Sequence, residues 1–409
     1  MKVLLLGGGG REHALGWKLS QSDRLSQLIS APGNPGLGQL GETLPSVDPT
    51  DVAAVTRLAV ERGVDLVVVG PEAPLAAGVV DSITAAGVPV WGPSQRAAAL
   101  ETSKAFAKQV MDEAGVPTAS WQTFDQVDPA LAYLRAQQPP YVIKANGLAA
   151  GKGVLVTTDQ AKAEAWVSRC LGGGFGERRI VIEEFLRGPE LSVFALCSGD
   201  EAVALEPARD FKRLMDGDKG PNTGGMGSYS PVTGLPGGIA AGVLADVIKP
   251  VLKTMMNDER PYNGFLYVGL VLTESGPVVL EFNCRLGDPE TQVLMPRLAS
   301  DLIDLIEASL GGRVAAPEWN DLACLNVVLA APGYPEASIA GVRIRIGDLP
   351  DRSLVFHAGT GEDHNGIFAR GGRVLNVVGT GSGLAEARAN AYAAVKAIEF
   401  PGALFRRDI

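Results

Sequence analysis

The sequence predicts a multidomain α/β protein. It reads as an N-terminal parallel α/β sheet domain, a central domain with a small lid subdomain, and a C-terminal mixed α/β domain. Three observations carry this. The first hundred residues alternate short apolar runs with helix-like segments. The middle of the chain sets glycine-rich loops between strand-like runs. The 409 residues exceed one ordinary domain, and an apolar share of 46% can fill several cores.

In order, residues 3–6, 28–31, 66–69 and 88–91 are apolar runs closed by Gly or Pro, and 12–21, 51–62 and 75–86 lie between them as helices. This βαβ alternation gives a parallel sheet whose loops all open at one carboxyl edge, where open α/β folds bind ligands. Residues 103–115 read as a connecting helix that Pro117 ends. A two-layer unit at about 118–189 follows: strand 141–145, loop 146–153, strand 154–158, helix 159–170 and strand 179–185. The larger body has strands near 192–197, 265–273 and 278–282, then one long helix over 289–310. The remainder has strands 325–330 and 373–378 and an alanine-rich helix over 384–398. The expected domains are 1–102, 103–322 (lid about 118–189) and 323–409.

Composition excludes several classes. A net charge of −10 with dispersed acids argues against a nucleic-acid surface, which needs massed basic residues. Cys170, Cys197, Cys284 and Cys324 form no CxxC pair and read as reduced structural thiols. His13, His357 and His364 are too scattered for a metal centre, and His13 reads as a helix-surface residue. The apolar start ends at Gly7, too short for a signal sequence, and no run approaches the roughly 18 residues of a membrane span. A soluble, intracellular protein is expected.

The chemistry lies in the loops. Residues 7–13, including Gly9 and Gly10, join a strand to a helix, so backbone N–H groups there can approach a phosphate; a tight turn without ligand is the alternative. The spacing fails GxGxxG, because Glu12 or His13 falls on the third glycine, and this argues against a dehydrogenase. Asn34, Gly70, Pro71 and Glu72 belong to neighbouring loops at the same edge. Lys144 and Lys152 flank or tip the loop 146–153 and suit β- and γ-phosphates; a solvated hairpin is the alternative. Glu183, Glu184, Phe185 and Leu186 end a strand where backbone reads an adenine edge, with Glu190 near the ribose, or else they are ordinary surface charge. Glu281 and Asn283, at i and i+2 on one strand face, offer two hard oxygens to Mg²⁺, or else are two polar residues on an exposed strand. Arg285 can hold a carboxylate or a phosphoryl group. Asp288 before Pro289 reads as a helix N-cap. The loop 220–227, after Asp210 and Lys212, reads as an anion nest or a surface loop.

Taken together, the blocks GGGGREHAL, APGNPG, GPEAPL, KANGLAAGKGV, VIEEFL, GPNTGGMGSYSP, EFNCRLGDPETQ and VFHAGT resemble, in order along nearly the whole chain, the phosphoribosylamine–glycine ligases (glycinamide ribonucleotide synthetases), which have the ATP-grasp fold. The resemblance implies an ATP-dependent ligase of purine biosynthesis, cytoplasmic and monomeric, acting on glycine and phosphoribosylamine with Mg²⁺ or Mn²⁺. It implies that Lys104, Lys144 and Lys152 touch ATP phosphates, that Glu183, Glu184, Phe185 and Leu186 line the adenine, and that Glu190 holds the ribose. It places Mg²⁺ on Glu281 and Asn283 and catalysis on Lys144 and Arg285. Gly9, Gly10, Asn34, Gly70, Pro71, Glu72, Asp210, Lys212, Asn222, Thr223, Gly224, Arg285 and Asp288 are implied to hold the two other substrates. The family usually has Asp at Asn146 and commonly His at Phe211, which alters a charge beside the lid loop and the segment near Lys212. Rival readings are a carboxylase-type or formate-using ATP-grasp enzyme and a non-catalytic nucleotide-binding protein. RLGDPETQ and GPNTGGMG argue against the first, and the retained lysines with Glu281 and Asn283 against the second.

Overall fold

A computed structural model describes residues 1–149 and 153–409. The N-terminal sheet is wholly parallel, in the order Glu42–Thr43, Gln27–Pro32, Lys2–Gly7, Leu66–Val69, Val90–Trp91. Lys2–Gly7, Leu66–Val69 and Val90–Trp91 are largely apolar runs because both faces are covered, while the edge strand Glu42–Thr43 is polar and half-buried. Leu4 and Leu6 meet the helix Val52–Glu61 through Val55 and Ala59. Val3 and Leu5 join a second core with Ala14 and Leu15, and that core also takes in Phe194, Leu302 and Phe356 from later parts of the chain. Strand order reverses beside Lys2–Gly7, so the loops after Gly7 and Val69 open side by side at the carboxyl edge. The helix expected over 75–86 is two helices, Glu72–Ala77 and Val79–Ala85. Gly78 between them has φ +87°, a left-handed conformation that glycine adopts without strain.

Ser103 caps the connecting helix Lys104–Glu113, its hydroxyl accepting the Phe106 N–H at 3.2 Å. The lid is a four-stranded antiparallel sheet ordered Trp121–Phe124, Ile180–Glu183, Tyr141–Ala145, Val154–Thr157, with the helices Val127–Ala136 and Gln160–Arg169 on one face. Those helices cover Ile143 and Ile182. By alternation Lys144 and Glu183 fall on the other face, as diagonal cross-strand neighbours.

The central sheet runs Glu201–Ala204, Glu190–Gly199, Tyr262–Thr273, Gly276–Asn283. The single helix expected over 289–310 is absent: two helices, Thr291–Leu294 and Leu302–Leu310, are separated by a turn. Pro296 lacks an N–H and crowds a preceding carbonyl, so the helix cannot continue through it. Ala299 N–H bonds instead to Glu318 O at 2.8 Å, and Asp301 caps the second helix. Asp288 is not the N-cap it resembles, since the first helix begins only at Thr291.

The C-terminal sheet contains Arg209–Asp210, Gly227–Ser230, Ala323–Ala330, Arg373–Gly381 and Ser353–His357, in that order. Two of its strands come from before residue 323, so a cut there in sequence is not a cut in space. Phe211 points away from the cleft into this unit, against Tyr229 and under the Arg406 guanidinium at 4.8 Å, while Asp210 and Lys212 lie together at an ion-pair distance. No helix among the described residues is long and apolar enough to cross a membrane.

The shared core makes a direct prediction. Leu5→Ala should destabilise the chain by about 2–5 kcal/mol in urea unfolding, because Leu5 is fully buried between two layers. Val60→Ala, on the exposed side of its helix, should change stability by no more than about 0.5 kcal/mol.

Candidate active site

Four basic residues from separate parts of the chain, Lys104 on its helix, Lys144 on the lid sheet, Lys212 after Asp210 and Arg285 after Asn283, mark the cleft. Phe282 and Cys284 point into the core, so Glu281, Asn283 and Arg285 alternate onto the opposite side. Gly269 lies directly across from Glu281, and a Cβ there would come 3.3 Å from Glu281 Cγ. The facing position therefore adds no second carboxylate. Burial alone would raise the Glu281 pKa, but Lys212, Lys144, Lys104 and Arg285 outweigh it and keep the group ionised.

Each lysine is held differently. Lys144 Nζ bonds Glu183 and donates to Leu280 O at 3.3 Å; burial works against its charge, and Glu183 with Glu281 overcomes that. Lys104 has no carboxylate so close, and burial pulls its pKa down. Its Nζ donates to Gly147 O at 3.1 Å. Asn146 organises this corner: its Oδ1 accepts the Ala105 N–H at 2.8 Å and its Nδ2 donates to Glu177 at 2.8 Å. An Asp at that position would face the Glu177 carboxylate instead. Lys212 Nζ lies 3.2 Å from Asp210 and 3.7 Å from Glu190. Burial would lower it, yet these carboxylates and Glu281 hold it well above the usual lysine range. Lys152 lies outside the described residues.

Several expected contacts are corrected by the geometry. The Glu183 carboxylate is buried between Lys144 and Lys108, the latter at 2.6 Å, so its side chain is a counter-charge beneath the cleft, while the adenine contact expected of this segment is one of backbone groups. Glu184 is exposed and accepts from Ser120 Oγ at 3.0 Å, while Phe185 and Leu186 are half-buried. Asn34 is a clamp, not a free substrate ligand. Its Nδ2 donates to Gly8 O at 3.0 Å and His357 O at 2.9 Å, and its Oδ1 accepts Leu37 N–H. The Gly9 N–H is taken by Glu12 Oε2 at 2.7 Å, and Gly10 is enclosed by Gln292 and Asn376. Gly70 makes room for the Glu12 side chain, whose Cγ would lie 2.4 Å from a Cβ there. The anion nest expected over 220–227 is closed: the N–H groups of Thr223, Gly224, Gly225 and Met226 bond Lys212 O, Tyr334 Oη, Thr223 Oγ1 and Phe211 O. Asn222 is exposed on the strand Lys219–Asn222.

Arg285 joins the N-terminal and central domains. Its Nε lies 3.2 Å from Glu72 and its Nη2 3.0 Å from Glu101, whose other oxygen accepts Cys284 N–H at 2.6 Å. Arg11 approaches Glu72 at 3.8 Å. Burial would raise Glu72, but Arg285 and Arg11 hold it down at about 2. Asp288 accepts from Gln292 Nε2 at 2.8 Å and lies 3.3 Å from Arg373. Glu290 is buried with Oε1 3.1 Å from Ser192 Oγ; burial, reinforced by Asp210, lifts its pKa to about 7.

Sequence reasoning missed Arg11, Glu101, Lys108, Glu290, Tyr334 and Arg373. Only Lys108 left a readable trace, one turn beyond Lys104 on the same helix face. His13 was misplaced: it is buried, and its Nδ1 accepts the His357 N–H at 2.8 Å.

Glu281 and Asn283 together offer one carboxylate and one amide oxygen, which fits a hard divalent cation shared with phosphate oxygens. Among the described residues no group of three or more His, Cys, Asp or Glu could hold an ion without such help.

Comparison with known proteins gives a consistent result. Family models described as "Phosphoribosylglycinamide synthetase" match this chain as N domain over residues 1–101, ATP-grasp (A) domain over 102–291 and C domain over 324–409. A phosphoribosylamine–glycine ligase of Caulobacter vibrioides is 48% identical, covering 100% of this chain and 97% of its own length. One of Halalkalibacterium halodurans is 44% identical, covering 100% and 96%. The crystal structure of the Thermotoga maritima phosphoribosylamine–glycine ligase superposes with a TM-score of 0.88 at 35% identity over 100% of both chains. A biotin carboxylase domain of Hydrogenobacter thermophilus, solved with MgADP, gives a TM-score of 0.77 at 16% identity over 99% of this chain and 91% of that one, a likeness of fold alone.

The buried histidines predict a pH response. Burial holds His13 down to about 3, with His357 adding to the effect, and holds His357 down to about 4, both from an ordinary 6.5. The unfolded chain then binds protons that the folded chain does not, so stability falls as pH drops from about 6.5 towards 4. His13→Asn should flatten that dependence by about 1.4 kcal/mol per pH unit in urea unfolding. Equal slopes in wild type and variant would mean that His13 is not held neutral.

Proposed function

The chain belongs to the phosphoribosylamine–glycine ligase family, and from that premise we propose how its residues carry the reaction. It is an ATP-grasp carbon–nitrogen ligase of purine biosynthesis that joins glycine to phosphoribosylamine, using ATP with a divalent metal. The observation that carries the residue assignment is geometric: Lys144 donates to Leu280 O beside Glu281 and Arg285 follows Asn283, while Lys104 and Lys212 help to hold the Glu281 carboxylate ionised. Three of these cations have carboxylate partners of their own, and Lys104, held only by Gly147 O, is the one left to meet the charge of a nucleotide triphosphate.

In our reading Lys104 and Lys144 hold the β- and γ-phosphates, and Glu281 with Asn283 hold the metal, Mg²⁺ or Mn²⁺. The bound metal would neutralise phosphate charge during transfer. Backbone of 184–186 borders the adenine and Glu190 the ribose. A glycine carboxylate oxygen attacks the γ-phosphorus in line, the bond to the bridging oxygen breaks, and ADP leaves. The amine of phosphoribosylamine then attacks the acyl carbon of glycyl phosphate, and inorganic phosphate departs. No side-chain nucleophile is needed, so this chain's part is positioning and charge neutralisation. The lid sheet, carrying Lys144 on its cleft face, shields the acyl phosphate from water. Glu72, Asp210, Lys212 and Asp288 border the space for glycine and the amine, and Arg285 faces the transferring group from its Glu72–Glu101 seat. We place the enzyme in the cytoplasm, in keeping with four buried free cysteines, and read it as a monomer.

ADP release should require MgATP, glycine and phosphoribosylamine together, with glycinamide ribonucleotide as co-product. Turnover with bicarbonate or formate in place of glycine would overturn the substrate assignment. Lys144→Ala and Glu281→Ala should each lower kcat by about 10²-fold or more, with a thermal unfolding transition still present. Unchanged turnover in either variant would reject that residue's role.

A further inference from the structure

The acceptor side of the cleft is gripped from the C-terminal domain. Arg373 opens the strand Arg373–Gly381, and its guanidinium reaches two segments remote in sequence. Nη1 donates to Gly224 O at 2.5 Å and to Asp288 O at 2.6 Å, and Nη2 lies 3.3 Å from the Asp288 carboxylate. Tyr334 Oη accepts the Gly224 N–H at 3.0 Å. Both backbone polar groups of Gly224 therefore end on side chains of one other domain.

The glycines are what permit this. A Cβ at Gly224 would lie 3.0 Å from Arg373 Cζ. One at Gly225, whose φ is +111°, would lie 2.4 Å from Pro289 Cδ. The loop is glycine-rich because it lies flat on Arg373 and the 288–290 turn.

Asp288 gains a fixed direction from the same contacts. Gln292 takes Oδ1, Arg373 borders Oδ2, and Oδ2 lies 3.7 Å from where a Cβ at Gly9 would sit, so it faces the N-terminal loop. Burial opposes its ionisation, and Arg373 with Arg11 overcomes that. A fixed carboxylate beside a cleft accepts hydrogen bonds from an amine and so aims the nitrogen lone pair.

We propose that Arg373 is a positioning residue for the acceptor amine: by clamping the 223–226 loop and the Asp288 carboxylate together, it aligns the nucleophile of the second step. This rests on the ligase reading of the cleft. Arg373 reaches no phosphate lysine, so the first step should be spared.

The test uses the full chain with Arg373→Gln and Tyr334→Phe, the second removing only the Gly224 N–H acceptor. In Arg373→Gln the KM for phosphoribosylamine should rise about tenfold or more, while the KM for ATP stays within about twofold. ADP released per amide formed should exceed the wild-type ratio, because acyl phosphate waiting for a misaligned amine is hydrolysed. Tyr334→Phe should shift the same quantities less. Arg373→Lys keeps the charge but loses the fork, so it should rescue only part of the amine KM. Amide hydrogen exchange over 223–226 should quicken in both Arg373→Gln and Tyr334→Phe. Equal rises in both KM values, an unchanged amine KM, full rescue by Lys, or unchanged exchange would each overturn the proposal. A wild-type chain unresponsive to the amine would overturn the ligase reading instead, and the exchange result would still decide the clamp.

Discussion

The ion pair on which the rest of the cleft depends is Arg285 held between Glu72 and Glu101. Its two carboxylates come from the N-terminal part of the chain, while Arg285 lies two residues beyond the strand that carries Glu281 and Asn283. The network fixes how the N-terminal loops face the central sheet. It is also mutually dependent: removing one partner leaves a buried charge uncompensated, at about 3–5 kcal/mol. Glu101 reinforces the junction by accepting the Cys284 N–H, so the backbone that follows the metal-type pair is held by the same carboxylate that holds the arginine.

Charge balance around the lysines obeys the same logic. Lys144 and Lys108 are almost wholly buried, which works against the charge of both, and Glu183 between them opposes that effect. Glu183 thus keeps cationic charge ready below the cleft, while Glu281 stands among cations that exceed it. Lys104, with a lowered pKa and one backbone carbonyl as partner, is the least compensated of Lys104, Lys108, Lys144 and Lys212. A phosphate chain entering the cleft would supply the charge that Lys104 lacks.

Much of this was legible without coordinates, for particular reasons. Four of the five parallel strands were visible because strands buried on both faces are largely apolar, whereas the polar, half-buried edge strand Glu42–Thr43 was not. Glu281 and Asn283 were visible because a strand's period of two puts i and i+2 together. Other readings went astray where a local pattern had two outcomes. Asp288-Pro289 has the composition of a helix start, yet the helix begins later and the carboxylate turns to Gln292 and Arg373. The loop 220–227 has the glycines of an anion nest, yet its N–H groups from 223 to 226 are bonded within the protein. Glycine content reports close approach but not what approaches.

By itself, then, the sequence determined the order of elements, the face on which each strand residue falls, and the chemical kind of the cleft: lysines, one carboxylate–amide pair, one arginine. These follow from periodicity and residue type, which are local properties. Only the tertiary structure decided which charges meet. That Glu183 serves Lys144 and Lys108, that Asn34 spans Gly8 and His357, and that Arg373 crosses 149 residues to Gly224 are all contacts between distant segments. Their partners are selected by how whole layers pack, and no spacing along the chain encodes that.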